Sequence, residues 1–124
     1  MPLIENFRIK RESLKYMPNE TAIKLIQEDN PFEFNQLVDA DPSACDLQGA
    51  QFRGYDLRKF NLTSADLTGA YLRNADLRGL DLSNAKMGGV SLKDAKISGT
   101  YFPKNVRAEE LQLSLTYGTR LRVD

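Results

Sequence analysis

The sequence predicts a mainly β fold in which the chain winds into a parallel β-solenoid. Three observations lead to this prediction. A large apolar residue recurs at every fifth position through the middle of the chain, a mostly small residue precedes it by two positions, and glycine, asparagine, serine or aspartate ends most units. A period of five fits neither the 3.6-residue period of an α-helix nor the 2.0-residue period of a strand. The chain must therefore turn a corner within each unit.

Twelve consecutive five-residue units between residues 45 and 104 carry this pattern. Residues two apart in an extended chain point to the same side, so each unit aims its central residue and the smaller residue inward. Burying one leucine contributes about 1.5–3 kcal/mol, and a stack of them supplies the core. Tyr55, Phe60 and Leu80 are large where the smaller residue is expected, which predicts a locally widened interior. The central residues are Leu47, Phe52, Leu57, Leu62, Leu67, Leu72, Leu77, Leu82, Met87, Leu92, Ile97 and Phe102.

The run ADLTG-AYLRN-ADLRG-LDLSN resembles the A(D/N)LXX signature of the pentapeptide-repeat proteins. The resemblance covers about half of the chain. It implies a right-handed quadrilateral parallel β-helix with four units per coil, and so about three coils from twelve units. The C-terminal segment FPKNVRAEELQLSLTYGTRLR is similar to the closing helix of small cyanobacterial members. We expect a single domain with an arm at 1–18, an N-terminal helical cap at 19–44, the repeat at 45–104, and a C-terminal capping helix and tail at 105–124.

Helices are predicted before the repeat, because a solenoid would otherwise expose unpaired backbone at its first coil. Residues 19–38 have apolar residues at helical spacing and indicate two short helices. The second helix has a start signal, with Asn30 as the N-cap and Pro31 at the first helical position. The preceding residues 1–18 show only a weak apolar alternation, typical of a short strand or arm.

A further helix is predicted after the repeat, where it would cover the last coil. Leu111 and Leu115 lie four residues apart, and Gly118 provides a stop signal. Arg107 stands where the similar family members often carry a serine or threonine cap, so the first turn of this helix departs from the family pattern.

Composition and charge exclude several classes of function. The chain has 17 basic and 17 acidic residues and a net charge of zero, whereas a nucleic-acid-binding protein is expected to be strongly basic. It has no apolar stretch of about 18 residues that could span a membrane, and its first residues lack the apolar core of a secretory signal. We therefore expect a cytoplasmic monomer without a nucleic-acid or membrane partner.

Residues suited to catalysis or metal binding are scarce. The chain has no histidine, and its single cysteine, Cys45, falls at an inward position of the repeat. Asp46 and Asp66 stack on one face and Asp56 and Asp76 on another, which could suggest acid–base work or a cation site. The family signature, however, places aspartate or asparagine at this outward position anyway, which favours a structural role. We expect no enzymatic activity, no cofactor and no metal.

Stacking at twenty-residue intervals produces basic columns on two neighbouring faces. One interpretation is a solvated surface in which Asp56 and Asp76 offset the charges of Arg53 and Arg73 across the corner. The alternative is a basic strip that docks an acidic partner, and the net charge of +3 over residues 45–104, against −3 over 1–44, lends it some support. The candidate interaction face comprises Arg53, Arg73, Lys93, Arg58, Arg78, Tyr71 and Gln51.

Two functions from different classes follow, with a third left open. The first is a non-enzymatic protein–protein interaction module or scaffold, because solenoid faces are extended and pre-organised. The second is suggested by members of the resembled family that imitate duplex DNA and bind topoisomerases, but a net charge of zero and a basic strip fit it poorly. The third is a purely structural domain without a dedicated ligand.

Overall fold

The computed structural model describes residues 20–124. These residues contain three α-helices, α1 (Glu20–Gln27), α2 (Pro31–Ala40) and α3 (Ala108–Tyr117), and one 3-10 helix (Pro42–Ala44). No helix among them has the length and apolar character needed to cross a membrane. The predicted arm at 1–18 lies outside the described residues.

Residues 45–104 stack on themselves with a period of twenty residues. We call 45–64 coil 1, 65–84 coil 2 and 85–104 coil 3. Each coil contains four five-residue units, and we number the four faces formed by stacked units from 1 to 4 in chain order. Parallel bridges join outward residues of successive coils, twenty positions apart. They form the columns Asp46–Asp66–Lys86 on face 1, Gln51–Tyr71–Ser91 on face 2, Asp56–Asp76–Lys96 on face 3 and Asp81–Tyr101 on face 4.

The β structure of these coils consists of isolated bridges, and the described residues form no longer strand. Every unit except 60–64 contributes one bridged outward residue and then turns, because five residues per face leave no room for a longer ladder. Most units end on a residue with positive φ, between 58° and 76°, which glycine supplies in six units and Asn74 and Asp94 supply in two. The predicted β class is therefore confirmed in coarse form, as parallel pairing between short corner-to-corner segments.

The interior of the coils is the predicted stack of large apolar residues. Ten of the twelve central residues, from Leu47 to Leu92, are almost completely buried. Only Ile97 and Phe102, in the last two units, are half-buried. Backbone bonds hold the coils together on both sides of each bridge: Leu67 N donates to Lys86 O at 2.8 Å, and Lys86 N donates to Ala65 O at 2.9 Å.

The N-terminal helices cover the start of the stack, as predicted. The side chain of Asn30 accepts a hydrogen bond from Glu33 N at 3.2 Å, so the expected N-cap of α2 is present. Phe34 of α2 is completely buried and meets the ring of Phe60 edge-on, with centroids 5.2 Å apart. Phe60 occupies an inward position where a small residue is usual. Coil 1 lies next to the N-terminal helices, so the large Phe60 ring packs against α2.

Asn35 takes the place of a missing coil at the corner between faces 3 and 4. Its Nδ2 donates to Lys59 O at 3.0 Å, and its Oδ1 accepts from Asn61 N at 2.7 Å. One side-chain amide thus satisfies a carbonyl and an N–H group at the first edge of the coil.

We expect Asn35→Ala to lower the free energy of unfolding by about 1–2 kcal/mol, because two backbone groups lose their partner and must turn to water. Chemical denaturation measures the change. Gln36→Ala, at the neighbouring exposed position of α2, is the control and should alter stability by less than about 0.5 kcal/mol. Equal losses in the two variants would contradict the role of the Asn35 amide.

The C-terminal helix and tail cover the other end, but only over faces 1 and 2. Ser114 Oγ accepts from Leu92 N at 2.9 Å, and Asp94 N donates to Leu115 O at 3.0 Å. The tail then continues the pairing on face 1, where Gly89 N donates to Leu121 O at 2.7 Å. The end of α3 at Gly118, with φ 75°, agrees with the prediction.

Ion pairs fasten this tail to α3. The N-cap residue Arg107 makes no capping hydrogen bond, in agreement with its departure from the family pattern, and instead pairs with Asp124 at 2.8 Å. Glu110, which is nearly buried, accepts from the backbone N of Arg122 at 2.9 Å and from its Nη2 at 2.7 Å. The buried residues of α3 are thus the polar Glu110 and Ser114, while Leu111 and Leu115 are half-buried.

Candidate interaction surfaces

Face 2 carries the first of the two predicted basic columns. We call its outward residues Gln51, Arg53, Tyr71, Arg73, Ser91 and Lys93 the arginine face. The bridges Gln51–Tyr71 and Tyr71–Ser91 place these residues in register. Gln51 and Arg53 are exposed, and Tyr71 and Arg73 are half-buried. Neither Arg53 nor Arg73 forms an ion pair with a described residue.

Lys93 has the predicted position but a different environment. A Cβ placed on Gly118 would lie 3.3 Å from the Cβ and Cδ of Lys93, so the lysine stem packs against the end of α3. Its Nζ lies 3.5 Å from Thr116 O, to which it donates. Lys93 therefore belongs largely to the C-terminal cap, and the available basic strip reduces to Arg53 and Arg73.

Arg73 is not fully satisfied by its surroundings. Its Nε is buried and has no hydrogen-bond partner in the described part of the chain. Buried donors without a partner are uncommon in proteins. The Nε of Arg73 is thus removed from water with neither a carboxylate nor a carbonyl of the described chain to compensate it.

Face 3 carries the second basic column, and here the charges are paired. Arg58 Nη2 lies 2.8 Å from Asp56 Oδ2, and Arg58 Nε lies 3.3 Å from Asp76 Oδ2 in the next coil. Arg78 Nη2 lies 2.7 Å from Asp76 Oδ2. The side chains of Asp56, Arg58, Asp76 and Arg78 form a ladder across two coils, which we call the ion-pair face.

The expectation that Asp56 and Asp76 offset Arg53 and Arg73 is therefore wrong. Residues two apart in an extended segment point to the same side, so each aspartate meets the arginine two positions later on its own face. Arg53 lies before the corner on a different face. The consequence is that the neighbouring arginine face keeps its positive charge while the ion-pair face is internally neutralised.

Hydrogen bonds from these arginines hold the carboxylates in their charged form. The Arg58 side chain holds the pKa of Asp56 far below its usual range, and the Arg78 side chain lowers the pKa of Asp76 to about 2. On α3, the Arg122 side chain likewise lowers the pKa of Glu110. The three carboxylates are expected to remain ionised well below the pH at which free ones protonate.

We expect the chain to lose stability in acid chiefly between about pH 4 and pH 2. A carboxylate whose pKa is lower in the folded state stabilises the fold above its unfolded pKa, about 3.9 for Asp and 4.3 for Glu. That stability is lost as the pH falls through the folded pKa, which for Asp76 is about 2. Thermal melting at a series of pH values measures the loss.

Asp76→Asn is the matched variant for this pH series. Asparagine keeps the turn contact, as Asn61 does when its Oδ1 accepts from Thr63 N at 3.2 Å. The variant should be less stable at pH 7 and less sensitive between pH 4 and pH 2. A variant with the same slope as the parent would contradict the assignment.

The stacked aspartates have a structural explanation. The Oδ1 of Asp66 accepts from Thr68 N at 3.0 Å, and that of Asp81 accepts from Ser83 N at 3.0 Å. Asp46, Asp56 and Asp76 make the same turn contact two residues on. Within residues 20–124, no group of three or more His, Cys, Asp or Glu side chains is arranged to hold a metal ion.

Cys45 is a buried core residue, as predicted. It is 3% exposed, and burial, together with the nearby Asp46 charge, raises the pKa of its thiol to about 12. The thiol therefore stays protonated at neutral pH, and a protonated thiol is a poor nucleophile.

Comparison with known proteins gives one family match. A family model described as pentapeptide repeats (8 copies) matches residues 32–63, 45–79 and 65–102, which together span more than half of the chain. The first of these matches extends into α2, ahead of coil 1. No curated protein and no solved structure matches the chain significantly.

Proposed function

The chain belongs to the pentapeptide-repeat family, and from this premise we propose that it is a non-enzymatic interaction module whose arginine face binds an acidic surface of a partner protein. The proposal takes the coils to be a right-handed, four-sided β-helix, the architecture that the family is known for. Such a scaffold presents flat and extended faces.

The contrast between faces 2 and 3 carries the proposal. Arg58 and Arg78 are engaged by carboxylates of their own face, whereas Arg53 and Arg73 have no described counter-charge. Stacked coils bring like charges to about 4.8 Å, where they repel by about 1 kcal/mol in water. An acidic partner would relieve this repulsion, and the half-buried Tyr71 beside the arginines offers the aromatic contact common at interfaces.

The packing beneath the arginine face supports a pre-organised surface. Phe52 and Leu72, the central residues next to Arg53 and Arg73, are completely buried. A partner would therefore meet arginines whose backbone is already fixed, and binding would cost less ordering entropy than it would on a mobile loop.

Affinity capture from native cell extract tests the proposal. We expect the parent chain to retain a protein that the Arg53→Glu, Arg73→Glu variant does not retain. Because the attraction is electrostatic and the Debye length is about 10 Å at 0.1 M salt, moderate salt should release the retained protein.

The matched control is Lys59→Glu, Lys86→Glu, which changes the net charge equally at two exposed lysines of faces 3 and 1. This control should retain the same protein as the parent. A protein retained equally by all three forms would contradict the role of the arginine face, and so would one lost equally from both variants.

A further inference from the structure

Coil 3 is the last coil, so its backbone groups that would bond to a further coil have no coil to pair with. The hydrogen bonds from coil 2 to coil 3 show which groups these are. On face 3, the N–H of the central residue, the N–H of the last residue and the C=O of the first residue in each unit bond to the next coil. The bonds of coil 2 are Leu77 N to Lys96 O at 2.9 Å, Gly79 N to Ser98 O at 3.0 Å, and Lys96 N to Ala75 O at 2.9 Å.

The corresponding groups of coil 3 are Ile97 N, Gly99 N and Ala95 O, which we call the open edge. None of them has a hydrogen-bond partner among residues 20–124. Two N–H donors and one carbonyl acceptor are thus unpaired, and they have the same arrangement as the groups that pair coil 2 with coil 3. Unpaired edges of this kind add a further strand readily.

The C-terminal cap does not reach the open edge. The tail pairs with face 1 through Gly89 N, and α3 pairs with face 2 through Asp94 N. For residues 95–102 the described cap supplies no backbone partner. The cap therefore pairs with the coil end at Gly89 on face 1 and Asp94 on face 2, and it leaves the open edge on face 3 unpaired.

Apolar side chains accompany the open edge. Ile97 and Phe102 are half-buried, whereas Leu77 and Leu82, twenty residues earlier, are completely buried. Tyr101 is 69% exposed. An added segment would find apolar surface for a large side chain as well as backbone partners.

The charge at the open edge is positive. Lys96 stands in the outward column that holds Asp56 and Asp76 in coils 1 and 2. Lys96 and Lys104 are both exposed, and neither pairs with a described carboxylate. In a segment stacked on coil 3, the outward residue would lie next to Lys96. An acidic residue at that position would therefore be favoured, because it would pair with the lysine charge.

We propose that the open edge is a binding site for one extended, acidic peptide segment of a partner protein, added in parallel register. The segment would have a small residue, an acidic residue and a large apolar residue in succession. The N–H of the acidic residue would donate to Ala95 O and its C=O would accept from Ile97 N, while the large residue would lie over Ile97. This mode of binding adds a strand to a sheet edge, and it uses a different surface from the arginine face.

The test titrates the isotope-labelled full chain with the synthetic peptide ADLSGADLSG and follows backbone amides by NMR. We expect the amide signals of Ile97 and Gly99 to shift and their hydrogen exchange to slow on saturation. The amides of Leu77 and Gly79, already paired between coils, should change little. The peptide DALSGDALSG has the same composition but exchanges the small and acidic positions, and it should not bind.

Two lysine variants provide the matched control. Lys86 and Lys96 hold the same outward position of coil 3 and are both exposed, but on face 1, beside Lys86, the tail already pairs with the coil at Gly89 N. An exposed charge pair changes affinity by about two- to fivefold, so Lys96→Glu should weaken peptide binding by this factor and Lys86→Glu should not. A peptide with lysine in place of aspartate should in turn prefer the Lys96→Glu chain.

Three results would overturn the proposal. The first is an absence of saturable binding, and the second is binding that shifts amides away from Ile97 and Gly99. The third is an unliganded chain in which these two amides exchange as slowly as those of Leu77 and Gly79, which would mean that the edge is already occupied. The Arg53→Glu, Arg73→Glu variant should still bind the peptide at the open edge, so failure here and failure at the arginine face are distinguishable.

Discussion

Leu72→Arg is expected to abolish the cooperative unfolding transition of the chain. Leu72 is completely buried at the centre of coil 2, between the central residues of coils 1 and 3. No described carboxylate lies in this apolar stack, so the guanidinium would be buried without a partner. The cost is comparable to the whole stability of a domain, about 5–15 kcal/mol. Thermal melting followed by circular dichroism measures the loss.

Thr68→Arg is the matched control, because it introduces the same side chain on the outside of coil 2. Thr68 is exposed, and its hydroxyl donates to Asp66 at 2.6 Å. An arginine there can pair with Asp66 as Arg78 pairs with Asp76, so we expect a change of less than about 0.5 kcal/mol. If the two arginine variants melt alike, the assignment of inward and outward positions is wrong.

Phe34→Ala is expected to lower the free energy of unfolding by about 3–5 kcal/mol. Removing a buried phenylalanine costs its transfer free energy and leaves a cavity. Phe34 is completely buried, and its ring lies 5.2 Å from that of Phe60, so its loss would open the start of the coil stack. Urea denaturation measures the change in the midpoint.

Phe32→Ala separates this packing effect from a general effect on α2. Phe32 lies on the same helix and is 71% exposed. The substitution removes the same atoms without creating a cavity, so we expect a change within about 0.5 kcal/mol. A similar loss in both variants would show that Phe34 does not act as a plug for the coils.

The repeat was predictable because its pattern is local and occurs many times. The inward position of Leu72 and the turn at Gly69 follow from spacing and residue type alone, and the structure places both as expected. The cap signals at Asn30 and Gly118 were visible for the same reason, since each depends on residues within one helical turn.

The contacts that close the two ends could not be predicted in this way. Asn35 bonds to backbone groups 24 and 26 residues away, and Ser114 bonds to an amide 22 residues away. Neither residue belongs to a periodic pattern, and a polar residue in a helix is ordinarily interpreted as exposed. A hint was available, because both lie on capping helices that must offer partners to an unpaired coil edge.

The sequence predicted which residues line the candidate site, but it did not predict which carboxylates pair with which arginines. Sequence spacing identified both basic columns, yet the partners of Asp56 and Asp76 depended on which side of a corner each arginine lies. The engagement of Lys93 by the C-terminal cap depended on the path of a tail that carries no repeat. The available basic strip, Arg53 and Arg73, is therefore smaller than the predicted one, and its charge is less compensated.

The most direct test of the proposed function is site-specific photo-crosslinking in native cell extract. A photoreactive amino acid at Gln51 samples the arginine face, and one at Asn84 samples the opposite face 4; both positions are exposed. We expect a crosslinked partner protein from position 51 and none from position 84, and the adduct should disappear when Arg53 and Arg73 are changed to glutamate. An adduct from position 84 alone, or one from position 51 that survives the loss of both arginines, would contradict binding through the arginine face.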